Sequence, residues 1–218
     1  MSDRDQMLKE IESEVEYTRS MIGRSSLGKR VMQAMKRVPR HIFVPAGARH
    51  QAYYNGPLPI GHGQTISQPY IVALMTDLLE PEAGDRILEV GTGSGYQAAV
   101  LSQVVEQVYT LEVIEPLSQQ AAERFKQLNY TNIECRVGDG YEGWPEESPF
   151  DGIIVTAAAP MIPPALIEQL KPGARLVIPI GQPYYHQDLV LVEKDAEGEI
   201  TVKDILGVAF VPLVRKKY

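Results

Sequence analysis

Apolar residues near the start of the chain recur at helical intervals. Over residues 5–18, Met7, Leu8, Ile11 and Val15 stand among glutamates, the spacing of an amphipathic helix. A second helix is expected after Ser25-Ser26, either of which suits a cap. Leu27, Val31, Met35 and Val38 would be its buried face and Pro39 its end. From 39 to 69 the periodicity breaks up, because Pro45, Gly47, Gly56, Pro57, Pro59, Gly61 and Gly63 favour loops and short extended pieces. Ile71, Val72, Leu74, Met75, Leu78 and Leu79 then form the broad apolar face of another helix, closed by Pro81 and Gly84.

Beyond this point the pattern changes to alternating strands and helices. Short β-branched runs at 87–90, 108–111, 133–137, 152–156 and 176–180 read as strands, with helical stretches at 97–105, 117–128 and 165–170 between them. Such alternation predicts an α/β fold with a mostly parallel, doubly wound sheet behind an N-terminal helical extension. After Gly181 the runs 189–193, 200–202 and 208–214 leave little room for helices, so antiparallel additions at one edge are expected. There is no internal repeat and no linker-like stretch. The reading is one domain over 1–218, with N-terminal helices and a covering loop in 1–80, a binding core in 81–181 and C-terminal strands in 182–218.

Composition narrows the classes. Of 218 residues 44% are hydrophobic and 22% charged, which suits a globular chain and not a disordered one. The net charge of −7 gives no overall basic surface for long nucleic acid. The clusters Lys29-Arg30, Lys36-Arg37 and Arg215-Lys216-Lys217 read as solvated surface. No apolar run is long enough to span a bilayer, and no secretory pattern opens the sequence. Cys135 stands alone, which excludes an intrachain disulfide and fits the reducing cytoplasm. His41, His50, His62 and His186 are scattered and form no metal signature.

The strongest chemical signal is Leu88-Glu89-Val90-Gly91-Thr92-Gly93-Ser94-Gly95-Tyr96, a strand running through a glycine turn into a helix. Dinucleotide sites favour G-x-G-x-x-G/A, whose last small residue brings the helix close to a pyrophosphate. Here that position is Tyr96 and an acidic residue precedes the turn, so phosphate-free S-adenosylmethionine is the better match. Glu112 closes the next strand, where a carboxylate can accept ribose hydroxyls. Asp139-Gly140 follows the third, where an acceptor and a backbone N–H can read an adenine edge. Singly, Glu112 is a solvated strand end and Asp139 an Asx turn. Three such features at successive strand ends favour a ligand.

From about residue 23 to 214 the chain resembles the protein-L-isoaspartate O-methyltransferase family. The resemblance rests on Val38-Pro39-Arg40-His41-Ile42-Phe43-Val44-Pro45 and on Pro59-Ile60-Gly61-His62-Gly63-Gln64-Thr65-Ile66-Ser67-Gln68-Pro69-Tyr70. The glycine turn, Gly138-Asp139-Gly140, Ile154-Val155-Thr156-Ala157-Ala158 and Phe210-Val211-Pro212-Leu213 also carry it. It implies an adenosylmethionine cofactor with Gly91, Gly93 and Gly95 along its methionine part. Glu112 would lie at the ribose and Asp139-Gly140 at adenine, with Gln64, Thr65, Ile66 and Glu89 also in contact. It makes Ser67 the functional hydroxyl, in a 64–70 segment covering cofactor and damaged residue. Tyr70, Val208, Phe210, Val211 and Pro212 would border the peptide. Residues 1–22 fall outside the pattern, and some relatives carry Ala-Pro-His where this chain has Gln68-Pro69-Tyr70.

The implied reaction is methylation of a free carboxylate on an L-isoaspartyl or D-aspartyl residue of a damaged protein or peptide. A carboxyl group is already ionised at neutral pH, so neither a metal nor a strong base is needed, and the work is alignment and exclusion of water. On sequence alone Ser67 reads more readily as a cap for the following helix, an ordering that the resemblance reverses. Thr65 is a secondary hydroxyl candidate. An amine methyltransferase would want an Asn/Asp-Pro-Pro-aromatic pocket where this chain has Thr156-Ala157-Ala158-Ala159-Pro160. A relative that installs isoaspartate in a modified peptide and a non-catalytic adenosylmethionine sensor both fit the same residues.

Overall fold

The computed structural model describes residues 2–182 and 185–215. Helices α1 (Asp3–Ile22), α2 (Lys29–Arg37) and α3 (Pro69–Leu78) form the N-terminal layer. A small antiparallel hairpin, β1 (Leu58–Gly61) and β2 (Gln64–Ile66), precedes α3. The central sheet comprises β3 (Arg86–Val90), β4 (Gln107–Glu112), β5 (Ile133–Val137), β6 (Phe150–Val155), β7 (Leu170–Gly181), β8 (Gln187–Lys194) and β9 (Ile200–Val208). Helices α4 (Tyr96–Leu101), α5 (Glu115–Gln127) and α6 (Pro164–Glu168) make the crossovers. Strand order is β5-β4-β3-β6-β7-β8-β9, parallel from β5 through β7 and antiparallel at β8 and β9.

The order reverses direction between β3 and β6, and parallel α/β sheets place their ligand crevice at the carboxyl ends of strands flanking such a point. Period-two alternation splits the core. Ile87, Val108, Ile154, Val177, Leu189 and Leu191 pack on one face with α1 to α4 and with Ala121 and Phe125 of α5. Leu88, Val90, Leu111, Ile153, Val155 and Leu176 cluster on the other with Trp144, Phe150 and Leu166.

Residues 2–22 are not an appendage, since Met7, Ile11, Val15 and Ile22 are all buried against the domain. A capping box between Ser2 and Asp5 starts α1, and Gly23, at φ +66°, ends it. Neither Ser25 nor Ser26 caps α2. Its N-cap is Gly28, whose N–H donates to Asp77 Oδ1 at 2.6 Å, so a tertiary carboxylate supplies what a local serine was expected to give. The C-terminal reading also changes. Instead of separate strands at 200–202 and 208–214, one strand runs Ile200–Val208, and 209–214 is irregular apart from a bridge between Pro212 and Ala158. The stretch 203–207 pairs with β8 across a bulge at Leu189/Val190, which the mixed polar and apolar residues there conceal. Lys216 and Lys217 lie outside the described residues.

Candidate active site

A cleft of about 740 Å³, open to solvent, sits over the carboxyl ends of β3, β4, β5 and β6. The glycine turn forms its floor. Gly91 adopts φ +98°, and a Cβ there would lie 2.5 Å from Thr156 Oγ1, so only glycine fits. The Thr156 hydroxyl donates to Gly91 O at 2.6 Å and ties the turn to the end of β6. Gly93 faces the cleft beside Ile60. Gly95 does not. It packs under α5, where a Cβ would meet the Phe125 ring at 2.7 Å, so this position needs glycine for helix packing.

Two carboxylates shape the cleft differently. Glu112 is buried, and its Oε2 accepts from Gly93 N (2.8 Å) while Oε1 accepts from Ile114 N (2.9 Å). Each carboxylate oxygen has a second lone pair, so the group braces the turn and still presents acceptors to a ligand. Glu89 is fully buried beneath the turn and also lines the cleft. Its Oε2 accepts from Thr110 Oγ1, which pairs with Thr92 Oγ1 at 2.6 Å. Its Oε1 has no hydrogen-bond partner. Burial pushes the Glu89 carboxyl up to about 8, against the counteracting bond from Thr110. A buried carboxyl beneath the turn, with one oxygen unpartnered and the residue lining the cleft, fits a polar ligand such as adenosylmethionine.

Asp139 takes the Asx-turn geometry, its Oδ1 accepting from Tyr141 N at 2.9 Å, and the flanking Gly138 and Gly140 line the cleft. Gln64, Thr65 and Ile66 close one side, and Val211 and Pro212 another. Val211 O accepts from Ala158 N, and Leu213 N donates to Ala158 O, both at 2.8 Å. Gln187 clamps the preceding residue. Its Oε1 accepts from Phe210 N (2.6 Å) and its Nε2 donates to Phe210 O (3.2 Å), so a side-chain amide replaces the strand partner that β9 has lost.

A second groove, about 950 Å³ and open, runs beside the cleft between Pro57, Ile71, Val208 and Phe210. Thr65 and Ser67 line both spaces. The Ser67 carbonyl accepts from Arg40 Nη2 at 2.8 Å, whereas its hydroxyl has no protein partner among the described residues. It does not cap α3. The N-cap is Gln68, and Asn55 Oδ1 accepts from Tyr70 N instead. Tyr70, expected at the peptide, is buried on the opposite side, its hydroxyl 2.5 Å from Thr18 Oγ1. One helical step past the loop turns its ring toward α1, away from the groove. Arg40, Gln187 and Thr156 were not singled out as site residues from sequence. Thr156 had a signal, since it ends a parallel strand, whereas the other two act through partners distant in sequence. Among the described residues no cluster of His, Cys, Asp and Glu could hold a metal ion.

The sheet order, the glycine turn and the carboxylate-ended strands define a Rossmann-like adenosylmethionine-dependent methyltransferase. The sequence profile of the protein-L-isoaspartate(D-aspartate) O-methyltransferase family matches residues 19–218, and the chain belongs to that family. It is 59% identical over 210 residues to protein-L-isoaspartate O-methyltransferase 2 of Syntrophobacter fumaroxidans, covering 96% of this chain and 85% of the relative. The enzyme of the same name from Polaromonas sp. is 56% identical, with coverage of 97% and 100%. A solved protein-L-isoaspartate O-methyltransferase superposes with a TM-score of 0.83 at 26% identity, covering 96% of this chain and 65% of that one. A putative protein-L-isoaspartate O-methyltransferase from Plasmodium falciparum, in complex with S-adenosyl-L-homocysteine, gives 0.75 at 26% identity, with coverage of 94% and 97%.

Proposed function

We propose that the chain repairs damaged proteins by transferring the methyl group of S-adenosylmethionine to the free carboxylate of L-isoaspartyl residues, with D-aspartyl residues as a second substrate. The observation that carries the reading is the shared wall: Thr65 and Ser67 border both the cofactor cleft and the open groove lined by Pro57, Ile71, Val208 and Phe210. The three stretches 1–80, 81–181 and 182–218 act as one unit, because the cleft draws lining residues from each.

Bound in the cleft, the cofactor supplies an activated methyl group on a sulfonium. Gly91 and Gly93 let the backbone approach it, Glu112 offers acceptors for ribose hydroxyls, and Asp139-Gly140 lies at the adenine. Glu89, uncharged when the cleft is empty, gives a buried acceptor toward the cleft. On the other side of the wall, the Ser67 hydroxyl donates to the acceptor carboxylate and fixes its direction. Val208 and Phe210 hold the peptide on either side and keep water out. Among the described residues no helix is long and apolar enough to cross a membrane. The single cysteine is the argument for a cytoplasmic site of action on isoaspartyl proteins and peptides, and the acidic charge argues against nucleic acid as a partner.

The deciding experiment offers an isoaspartyl peptide and its normal aspartyl isomer with methyl-labelled cofactor and measures base-released methanol. Label is expected on the first alone. Equal labelling of both would replace the repair reading with a general carboxyl methyltransferase, and cofactor binding without label would leave a sensor.

A further inference from the structure

Arg40 is fully buried and stands in none of the roles above. No carboxylate pairs with it among the described residues, so its charge is answered only by carbonyl oxygens and an aromatic face. Its Nε donates to Ala52 O at 2.8 Å, and its Nη2 to Ser67 O at 2.8 Å and Gly56 O at 3.3 Å. The guanidinium carbon lies 4.7 Å from the centroid of the Tyr96 ring. Burial pulls the guanidinium below its ordinary value, a measure of how poorly this place suits a charge. An apolar side chain of similar volume would fill the space at lower cost if packing were the only requirement.

What the cation achieves is a junction. Its carbonyl partners belong to the loop before β1 and to the turn between β2 and α3. Tyr96, beneath it, is the first residue of α4 as the chain leaves the glycine turn. The guanidinium is thus one hydrogen bond from the backbone of Ser67 on the acceptor side and in contact with the helix that starts at the cofactor turn. Only a planar fork with several donors can bond these carbonyls while stacking on a ring. A lysine ammonium keeps the charge and loses the geometry.

We propose that Arg40 is a positioning residue for methyl transfer, fixing the Ser67 backbone so that its hydroxyl points at the acceptor carboxylate, in register with the glycine turn. This rests on the role given to Ser67 above. If Arg40 works through that hydroxyl, its substitution matters only while the hydroxyl is present.

The test is a double-mutant cycle on kcat with an isoaspartyl peptide. Arg40→Lys is expected to lower kcat about tenfold beside Ser67 and by less than about twofold in the Ser67→Ala background. Adenosylhomocysteine affinity should stay within about threefold in each folded variant. Losses that multiply, or an Arg40→Lys enzyme with wild-type kcat, would overturn the proposal. Should Arg40→Lys fail to fold, Tyr96→Leu loosens the guanidinium without removing it, and the same kcat cycle applies at saturating S-adenosylmethionine, with the affinity criterion set aside because Tyr96 also borders the cofactor cleft. Hydrogen exchange reads the geometry without turnover: amides of 64–70 should exchange faster in the variant while those of α5 do not, and unchanged exchange there would also overturn it. A wild-type protein that does not methylate the peptide would refute the repair reading instead, with exchange alone then deciding on Arg40.

Discussion

Replacing Glu89 with glutamine isolates the effect of a buried acid. The carboxyl sits under the glycine turn, fully buried, and burial raises it from an ordinary 4.5 to about 8. Between those values the folded chain holds a proton that the unfolded chain has released. Stability due to this group is therefore complete below about pH 4.5 and falls as pH rises toward 8. Each pH unit in that window is worth about 1.4 kcal/mol, so by pH 7 the unliganded wild type has lost about 3 kcal/mol through this one carboxyl. Glu89→Gln keeps the shape and an acceptor for Thr110 but has nothing to titrate. Urea unfolding of both proteins, without cofactor, at several pH values from about 5 to 8 measures the difference. The other perturbed carboxyls, among them Asp85 and Glu193, are common to both proteins and drop out. The variant should gain on the wild type steadily with pH. A stability difference that does not change with pH would refute the reasoning.

Two further outcomes follow from the cleft and its wall. Glu112→Ala should weaken adenosylhomocysteine binding about tenfold or more, since it removes charge-assisted bonds worth about 1.5–3 kcal/mol, and calorimetric titration would detect it. An unchanged constant would leave Glu112 as a brace for Gly93 alone. Ser67→Ala should cut kcat roughly ten- to hundredfold with cofactor affinity and melting temperature nearly intact, because Gln68 and Asn55, not Ser67, start α3. Ser67→Thr, which keeps the hydroxyl and adds a methyl group, should also lose rate; a lowered melting point with wild-type turnover would return Ser67 to a structural role.

The parallel strands were readable because most are short apolar runs buried on both faces, a signal that does not depend on distant partners. The glycine turn was readable for a similar reason, since its backbone demands are local. Where the sequence misled, the deciding contact came from elsewhere in the chain. Gly95 is held by Phe125 of α5 as well as by the turn, and the Tyr70 hydroxyl is taken by Thr18 of α1, away from the groove. Asp139 has the local turn that its neighbours allowed from the start. Arg40 and Gln187 were invisible as site residues because each bonds backbone atoms that no sequence pattern marks.

The acceptor groove joins residues 57–71 to residues 186–210, two stretches on opposite sides of the nucleotide-binding core in sequence. During synthesis the strands β3 to β6 and their glycine turn are complete well before β9 and the clamp on Phe210 exist. Contacts of such long sequence separation form late and slowly. A nascent or C-terminally clipped chain would therefore have most of the groups that hold the methyl donor and no walled place for a peptide. Closure of the groove waits on residues 186–210, whatever state the glycine turn has already reached.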